Sequence, residues 1–115
     1  MAVSIGPRLG IDGEKEYRDS INQIIQQAKT LGSEMKLVTA SFDENTEAEE
    51  KAQRTAEVLN KQIDVQKKRV DALNGMLEKS ADLYGENDTK TLKWQEAVND
   101  ANAELKNLER QLDET

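Results

Sequence analysis

The chain of 115 residues contains no cysteine and no histidine, one proline and only 3% aromatic residues. The missing cysteines exclude disulfides, thiolate nucleophiles and cysteine-bound metals. The missing histidines remove the commonest general base and zinc ligand. Hydrophobic residues make up 36% of the chain, so any core must be thin and aliphatic. We therefore predict that the protein is not an enzyme and uses no cofactor and no metal.

Acidic residues outnumber basic ones by 23 to 16, which gives a net charge of −7. This balance argues against binding to nucleic acid or to an anionic membrane surface. The sequence has no run of roughly 18 apolar residues, as a membrane span would need. Its N-terminus, "MAVSIGPRLG", lacks the apolar stretch of a secretion signal. We predict no nucleic-acid partner, no membrane segment here and residence in a cytoplasm.

Residues 1–12 differ from the rest of the chain because they hold the only proline and two of the six glycines. Val3, Ile5, Leu9 and Ile11 alternate with small or polar neighbours. This period of two predicts a short extended N-terminal arm or an edge strand. A helix is then expected to start near residue 13, with Asp12 or Gly13 as its N-cap and acidic residues in its first turn.

After the arm, apolar residues recur at alternating spacings of four and three, as in heptad helices. Two interruptions divide the pattern into amphipathic helices at about 13–42, 47–84 and 88–113. The fold class is all-α, and short connections favour an antiparallel helical hairpin or coiled coil within one domain, 13–115. The predicted packing and self-association seam consists of Tyr17, Ile21, Ile24, Leu31, Met35, Val38, Phe42, Leu59, Ile63, Val70, Leu73, Leu77, Tyr84, Trp94, Val98, Leu105, Leu108 and Leu112.

The second helix is longer than the third, so part of its seam between Ala52 and Ile63 would be uncovered unless the first helix packs there. We therefore expect a homo-oligomer. Gln66 is a polar residue in the middle of this seam. It either sets the register of an oligomer through a buried polar pair or occupies a tolerated edge position.

Both helix breaks carry recognisable signals. At the first, Thr46 followed by Glu49 fits a capping box. At the second, "LYGENDTKTLKWQ" offers Gly85 to end one helix and Asn87 or Asp88 to cap the next. The oxygen-rich second stretch lacks the ligand pattern of a calcium loop, so a turn is favoured. One heptad register nevertheless runs through the whole chain, which leaves continuous helix at 43–46 and 85–88 as the alternative.

The sequence resembles the N-terminal region of tape measure proteins from long-tailed bacteriophages and prophages of Gram-positive hosts. The resemblance covers about residues 9–112. It is carried by "IDGEKEY" at the start of the first helix, by "LGSEMKLV" leading to "FDENTE", by "LNKQI" and by "YGENDTKTLKWQ" before the third helix. The order and spacing of these motifs together carry the resemblance.

The resemblance implies a structural role as scaffold and length ruler in tail tube assembly. The implied partners are tail tube and tail assembly chaperone proteins. The implied location is the host cytoplasm during assembly and then the interior of the virion tail. One straight helix of this length would reach only about 170 Å, and such proteins are normally many times longer, so we expect a fragment of a longer chain. The alternative function is a helical adaptor or chaperone-like coiled coil that binds a partner helix.

Overall fold

The computed structural model describes residues 6–115 and contains three helices, α1 (Glu14–Ala40), α2 (Ala48–Tyr84) and α3 (Thr89–Glu114). No strand occurs among residues 6–115. The predicted all-α class is confirmed, and both joints are turns and not continuous helix. The start of the predicted arm, residues 1–5, lies outside the described residues.

The first helix starts where the sequence predicts. Gly13 is its N-cap, with φ of 79°, in the left-handed region that glycine adopts at little cost. The helix passes through Gly32 without a break. It ends at Ala40, two residues before the expected Phe42, and the Phe42 amide bonds back to the carbonyl of Thr39 at 3.2 Å.

The capping box expected at the first joint does not form. Glu47 is the N-cap of α2, and no side chain bonds the free amides of its first turn. Thr46 instead turns towards Asp43: its hydroxyl accepts from the Asp43 amide at 3.0 Å and lies 3.2 Å from the Asp43 carboxylate. That carboxylate also accepts from the Asn45 amide at 2.8 Å. The polar residues of "FDENTE" therefore stabilise the turn itself, and their side chains are not available to cap α2.

The second joint follows the prediction closely. Gly85 ends α2 with φ of 93° and ψ of 158°, and its amide donates to the carbonyl of Ala81 at 2.9 Å. Asp88 is the N-cap of α3, and its carboxylate accepts from the Lys90 amide at 2.8 Å. The end of α2 and the start of α3 therefore explain the glycine and the oxygen-rich side chains of this stretch.

The helix α2 is central and antiparallel to both neighbours. Among Cα atoms, α1 and α3 each approach α2 within 8 Å but do not approach each other that closely. At 1.5 Å per residue α2 is about 56 Å long, which accounts for the longest dimension of the 58 × 26 × 17 Å protein. The directions follow from contacts that run in opposite order along the helices. Tyr17 lies beside Gly75 and Glu34 beside Lys61 for α1 and α2. Ser80 bonds Thr91, and Gln66 bonds the Ala101 carbonyl, for α2 and α3.

The main core lies nearer the end that carries the arm and draws on every element. Its buried members are Leu9, Ile21, Val70, Leu73, Met76, Trp94, Val98 and Ala101. Towards the other end, Leu59 and Ile63 of α2 are also buried. The first helix therefore packs back along α2, which is the arrangement expected to cover the α2 seam. This seam is covered within one chain.

Candidate functional site

Packing surfaces, not a ligand centre, are the features of interest. Within residues 6–115 no group of three or more acidic side chains is placed to hold a metal ion. In the same range no helix is both long and apolar enough to cross a membrane. The candidate functional surfaces are two grooves between the helices and the end of the bundle where the N-terminal arm packs.

Polar residues in the seam are paired inside the chain. The Gln66 side chain is 4% exposed, and its Nε2 donates to the carbonyl of Ala101 at 2.8 Å. Gln66 is therefore not an edge position. It bonds α3 of the same chain, whereas the sequence predicted either a polar pair between chains or an edge position. Ser80 and Thr91 are both buried, and their hydroxyl oxygens lie 2.8 Å apart. These two bonds fix the register of α3 on α2.

A small cavity lies beside Gln66, where the three helices come together. Its volume is about 210 Å³. Ala28 of α1 forms one wall, and Glu104, Asn107 and Leu108 of α3 form the opposite one. Because the Cα atoms of α1 and α3 do not approach each other within 8 Å, this space is the gap between their backbones over α2.

A larger and more open groove, of about 450 Å³, follows the contact between α1 and α2. Thr30 and Leu31 line it from α1, and Lys61 and Val65 line it from α2. The Lys61 ammonium pairs with Glu34 across the helices at 3.3 Å. Leu31 and Val65 are the apolar residues of its lining, and the other five lining residues are polar or charged.

The predicted seam residues divide by depth. Eight are buried: Ile21, Leu31, Leu59, Ile63, Val70, Leu73, Trp94 and Val98. Nine are half-buried: Tyr17, Ile24, Met35, Val38, Phe42, Leu77, Leu105, Leu108 and Leu112. Tyr84 is exposed. Two-thirds of the half-buried members lie at the end of the bundle away from the arm, and self-association through them stays a prediction.

The N-terminal arm, defined here as residues 6–13, is held by Glu14 in the first turn of α1. One carboxylate oxygen of Glu14 accepts from the Leu9 amide at 2.8 Å, and the other accepts from the Gly10 amide at 2.7 Å. The chain can return over the helix start because Gly10 and Gly13 both have positive φ, 70° and 79°. A strand is therefore not formed here, and the arm is a folded-back segment.

Arg18 holds the first part of the arm. Its Nε donates to the Glu14 carboxylate at 3.1 Å, and its Nη2 donates to the carbonyl oxygens of Gly6 and Pro7. The Tyr84 hydroxyl, from the end of α2, donates to the carbonyl of Leu9 at 2.6 Å. Two side chains of α1 and one of α2 thus bind five main-chain groups of the arm.

These contacts shift the ionisation of Glu14. Burial by itself raises the pKa of this carboxyl group, but the bonds from the amides of Leu9 and Gly10 and from Arg18 outweigh burial. The net pKa of Glu14 lies below its ordinary value. Because the folded state favours the charged carboxylate, ionised Glu14 stabilises the closed arm.

The arm covers the single tryptophan. Trp94 is fully buried, and a Cβ atom added to Gly6 would lie 2.8 Å from its six-membered ring. The Arg18 guanidinium carbon lies 5.7 Å from the centre of the same ring. Leu9 is 2% exposed and belongs to the same core. Trp94 therefore has the predicted packing role, and the arm supplies part of its cover.

The sequence pattern does not predict this arm contact. Acidic residues in the first turn of a helix, such as Glu14, suit the helix dipole, and Leu9 belongs to an alternating pattern that predicts an extended segment. The available signals were the four-residue spacing of Glu14 and Arg18 and the glycines at positions 10 and 13, which allow a return turn.

No protein family, curated protein or solved structure matches the chain.

Proposed function

We propose that this chain is a structural, non-catalytic segment of a tail tape measure protein. In this role it belongs to the N-terminal part of a scaffold and length ruler on which a bacteriophage tail tube assembles. The observation that carries the proposal is where the resembling motifs fall in the fold. "IDGEKEY" contains the arm turn and Glu14, "FDENTE" is the first joint, and "YGENDTKTLKWQ" contains the second joint and Trp94.

The shape and charge support this role. The protein is 58 Å long but only 26 × 17 Å in cross-section, and it carries a net charge of −7. A narrow helical rod with a solvated acidic surface suits a molecule that lies in a channel and later leaves it. Within this proposal the partners are tail tube and tail assembly chaperone proteins, and other copies of the chain contact the half-buried seam.

A helical adaptor or chaperone-like coiled coil is the second candidate. The groove of about 450 Å³ between α1 and α2 favours it, because an amphipathic helix binds by placing its apolar face in such a groove. This candidate requires a partner helix in the cytoplasm and no association with virus particles.

Protease protection in tail particles tests the proposal. Prophage induction in the source strain would be followed by purification of tail-bearing particles and quantitative peptide mass spectrometry. Particles would be treated with trypsin before and after DNA ejection is triggered. The trypsin concentration is one that degrades the isolated chain, whose Arg54 and Lys61 lie within the helix α2 and are cut only as that helix opens.

The proposal predicts peptides of this chain in the intact particles, resistant to trypsin, and lost from the tails after ejection. A tail surface protein in the same particles, digested in both treatments, is the control. Absence of the chain from purified particles, together with its recovery in the soluble cytoplasmic fraction, would reject the ruler and favour the adaptor.

A further inference from the structure

The N-terminal arm has the construction of a strap that can open without unfolding the helices. Its polar contacts converge on Glu14 and Arg18, which bond each other and together hold four main-chain groups of the arm. Its apolar contacts are few: Leu9 is buried, Ile11 is half-buried, and Gly6 touches Trp94 through main-chain atoms.

The helices also make contacts with each other that do not involve the arm. Antiparallel contacts run along the length of α2, from the Lys61 bond to Glu34 up to the Ser80 bond to Thr91. The buried residues Leu59 and Ile63 belong to the part of the bundle away from the arm. Because local opening free energies follow local contact density, the arm should open before the bundle does.

We propose that residues 6–13 form a releasable strap, that ionised Glu14 with Arg18 keeps it closed, and that its opening uncovers Trp94 at the end of an intact three-helix bundle. This inference goes beyond the proposed function and does not depend on it. The strap is closed at neutral pH, where the Glu14 carboxylate accepts from two amides. Protonation removes the charge that both the amides and the guanidinium require.

The other ionisable groups at this end leave Glu14 as the controlling carboxyl. Arg8 and Asp12 in the arm and Glu16 in α1 are exposed. From α2, the Tyr84 hydroxyl donates to the arm, and the Lys79 ammonium lies 5.6 Å from the centre of the Tyr17 ring. From α3, the Lys90 ammonium lies 4.4 Å from the centre of the Tyr84 ring. Within residues 6–115 Glu14 is the carboxylate to which the arm amides donate.

Trp94 is a built-in reporter, since it is the only tryptophan and lies under the strap. The experiment compares Glu14→Gln with Glu16→Gln, a matched loss of one acid from the same helical turn. Acrylamide quenching and the emission maximum of Trp94 report the strap, and circular dichroism at 222 nm reports the helices. At neutral pH we expect red-shifted, more strongly quenched emission in Glu14→Gln, with helix content unchanged, and wild-type behaviour in Glu16→Gln.

Acid titration of the wild-type protein gives the same test without a substitution. We expect Trp94 to become quenchable at a higher pH than that at which the helix signal falls. Two results overturn the proposal. One is a folded Glu14→Gln protein with Trp94 as protected as in the wild type, and the other is a wild-type titration in which quenching and helix loss coincide.

Hydrogen exchange keeps the proposal testable if Glu14→Gln does not fold. In the wild-type protein, the amides of Leu9 and Gly10 should exchange through an opening that denaturant hardly affects, whereas the Val70 amide should exchange by global unfolding. Equal protection and equal denaturant dependence for arm and core amides would show that the arm is part of the global unit and would overturn the strap.

Discussion

The buried hydroxyl pair of Ser80 and Thr91 makes a quantitative prediction about the register of α3 on α2. The two oxygens lie 2.8 Å apart, and the residues are 0% and 3% exposed. Ser80→Ala would leave the Thr91 hydroxyl without this partner in a dry site, which costs about 1–3 kcal/mol of unfolding free energy. Thr91→Val, which keeps the side-chain shape, should cost a similar amount.

The double variant should be more stable than the sum of the single losses implies. With both hydroxyls removed, no polar group is left buried and unpaired, so the two effects should be non-additive by about 1–3 kcal/mol. Urea unfolding, followed by circular dichroism and by Trp94 fluorescence, measures each free energy. Ser33→Ala, at an exposed position of α1, is the control for helix propensity. It measures the stability gain of about 0.5 kcal/mol that replacing serine by alanine in a helix gives by itself, which Ser80→Ala also receives.

Additive losses would refute this reasoning. If the double variant loses as much as the two single variants together, within about 0.3–0.5 kcal/mol, the hydroxyls do not act on each other. The packing of α3 that places Thr91 opposite Ser80 would then be wrong.

Three further predictions concern stability. Trp94→Ala should lose about 3–5 kcal/mol because the indole is fully buried, whereas Leu92→Ala, at a residue that is 53% exposed, should change stability by less than about 0.5 kcal/mol. Gly85→Ala should cost about 1–3 kcal/mol of unfolding free energy because φ of 93° with ψ of 158° suits glycine alone. Gly32→Ala should instead stabilise α1 by about 0.5–1 kcal/mol, since its added Cβ meets nothing within 4 Å. The pKa of Glu14 is lower in the folded protein than its ordinary value of 4.5. Its contribution to stability is therefore present above pH 4.5 and is lost as the pH falls through the pKa of the folded state. Glu14→Gln should remove this contribution to the acid dependence of stability.

Urea unfolding tests each of these, the last one as a function of pH. A Trp94→Ala variant no less stable than Leu92→Ala would contradict the burial of the indole. A neutral Gly85→Ala would mean that the joint adopts another conformation. An acid dependence that is the same with and without Glu14 would show that other carboxyl groups dominate the loss of stability.

Local signals account for what the sequence predicted well. The four-and-three spacing of apolar residues depends only on helix geometry, so the helices and most buried seam residues, such as Ile63 and Val98, followed directly. The second joint was also predictable, because Gly85 and Asp88 act on backbone groups next to them in the chain.

Competing local partners and contacts between distant segments account for what the sequence did not predict. The Thr46 hydroxyl is close in sequence both to the first-turn amides of α2 and to Asp43. It bonds the Asp43 amide in the turn and does not cap α2. Lys61 pairs with Glu34 on another helix, which no spacing rule on its own helix could indicate. The position of the arm depends on a return turn that places Leu9 in the core, and an alternating pattern could not predict that turn.

The length of the tail gives the most direct test of the ruler. In the tape measure protein that the proposal requires, residues 6–115 would be duplicated in frame, and tail lengths would be measured by electron microscopy beside the parent. We expect tails longer by at least 58 Å, the length of the folded segment, and by no more than about 170 Å, the reach of one straight helix. Tails of unchanged length would contradict the proposal that this segment contributes to a length ruler.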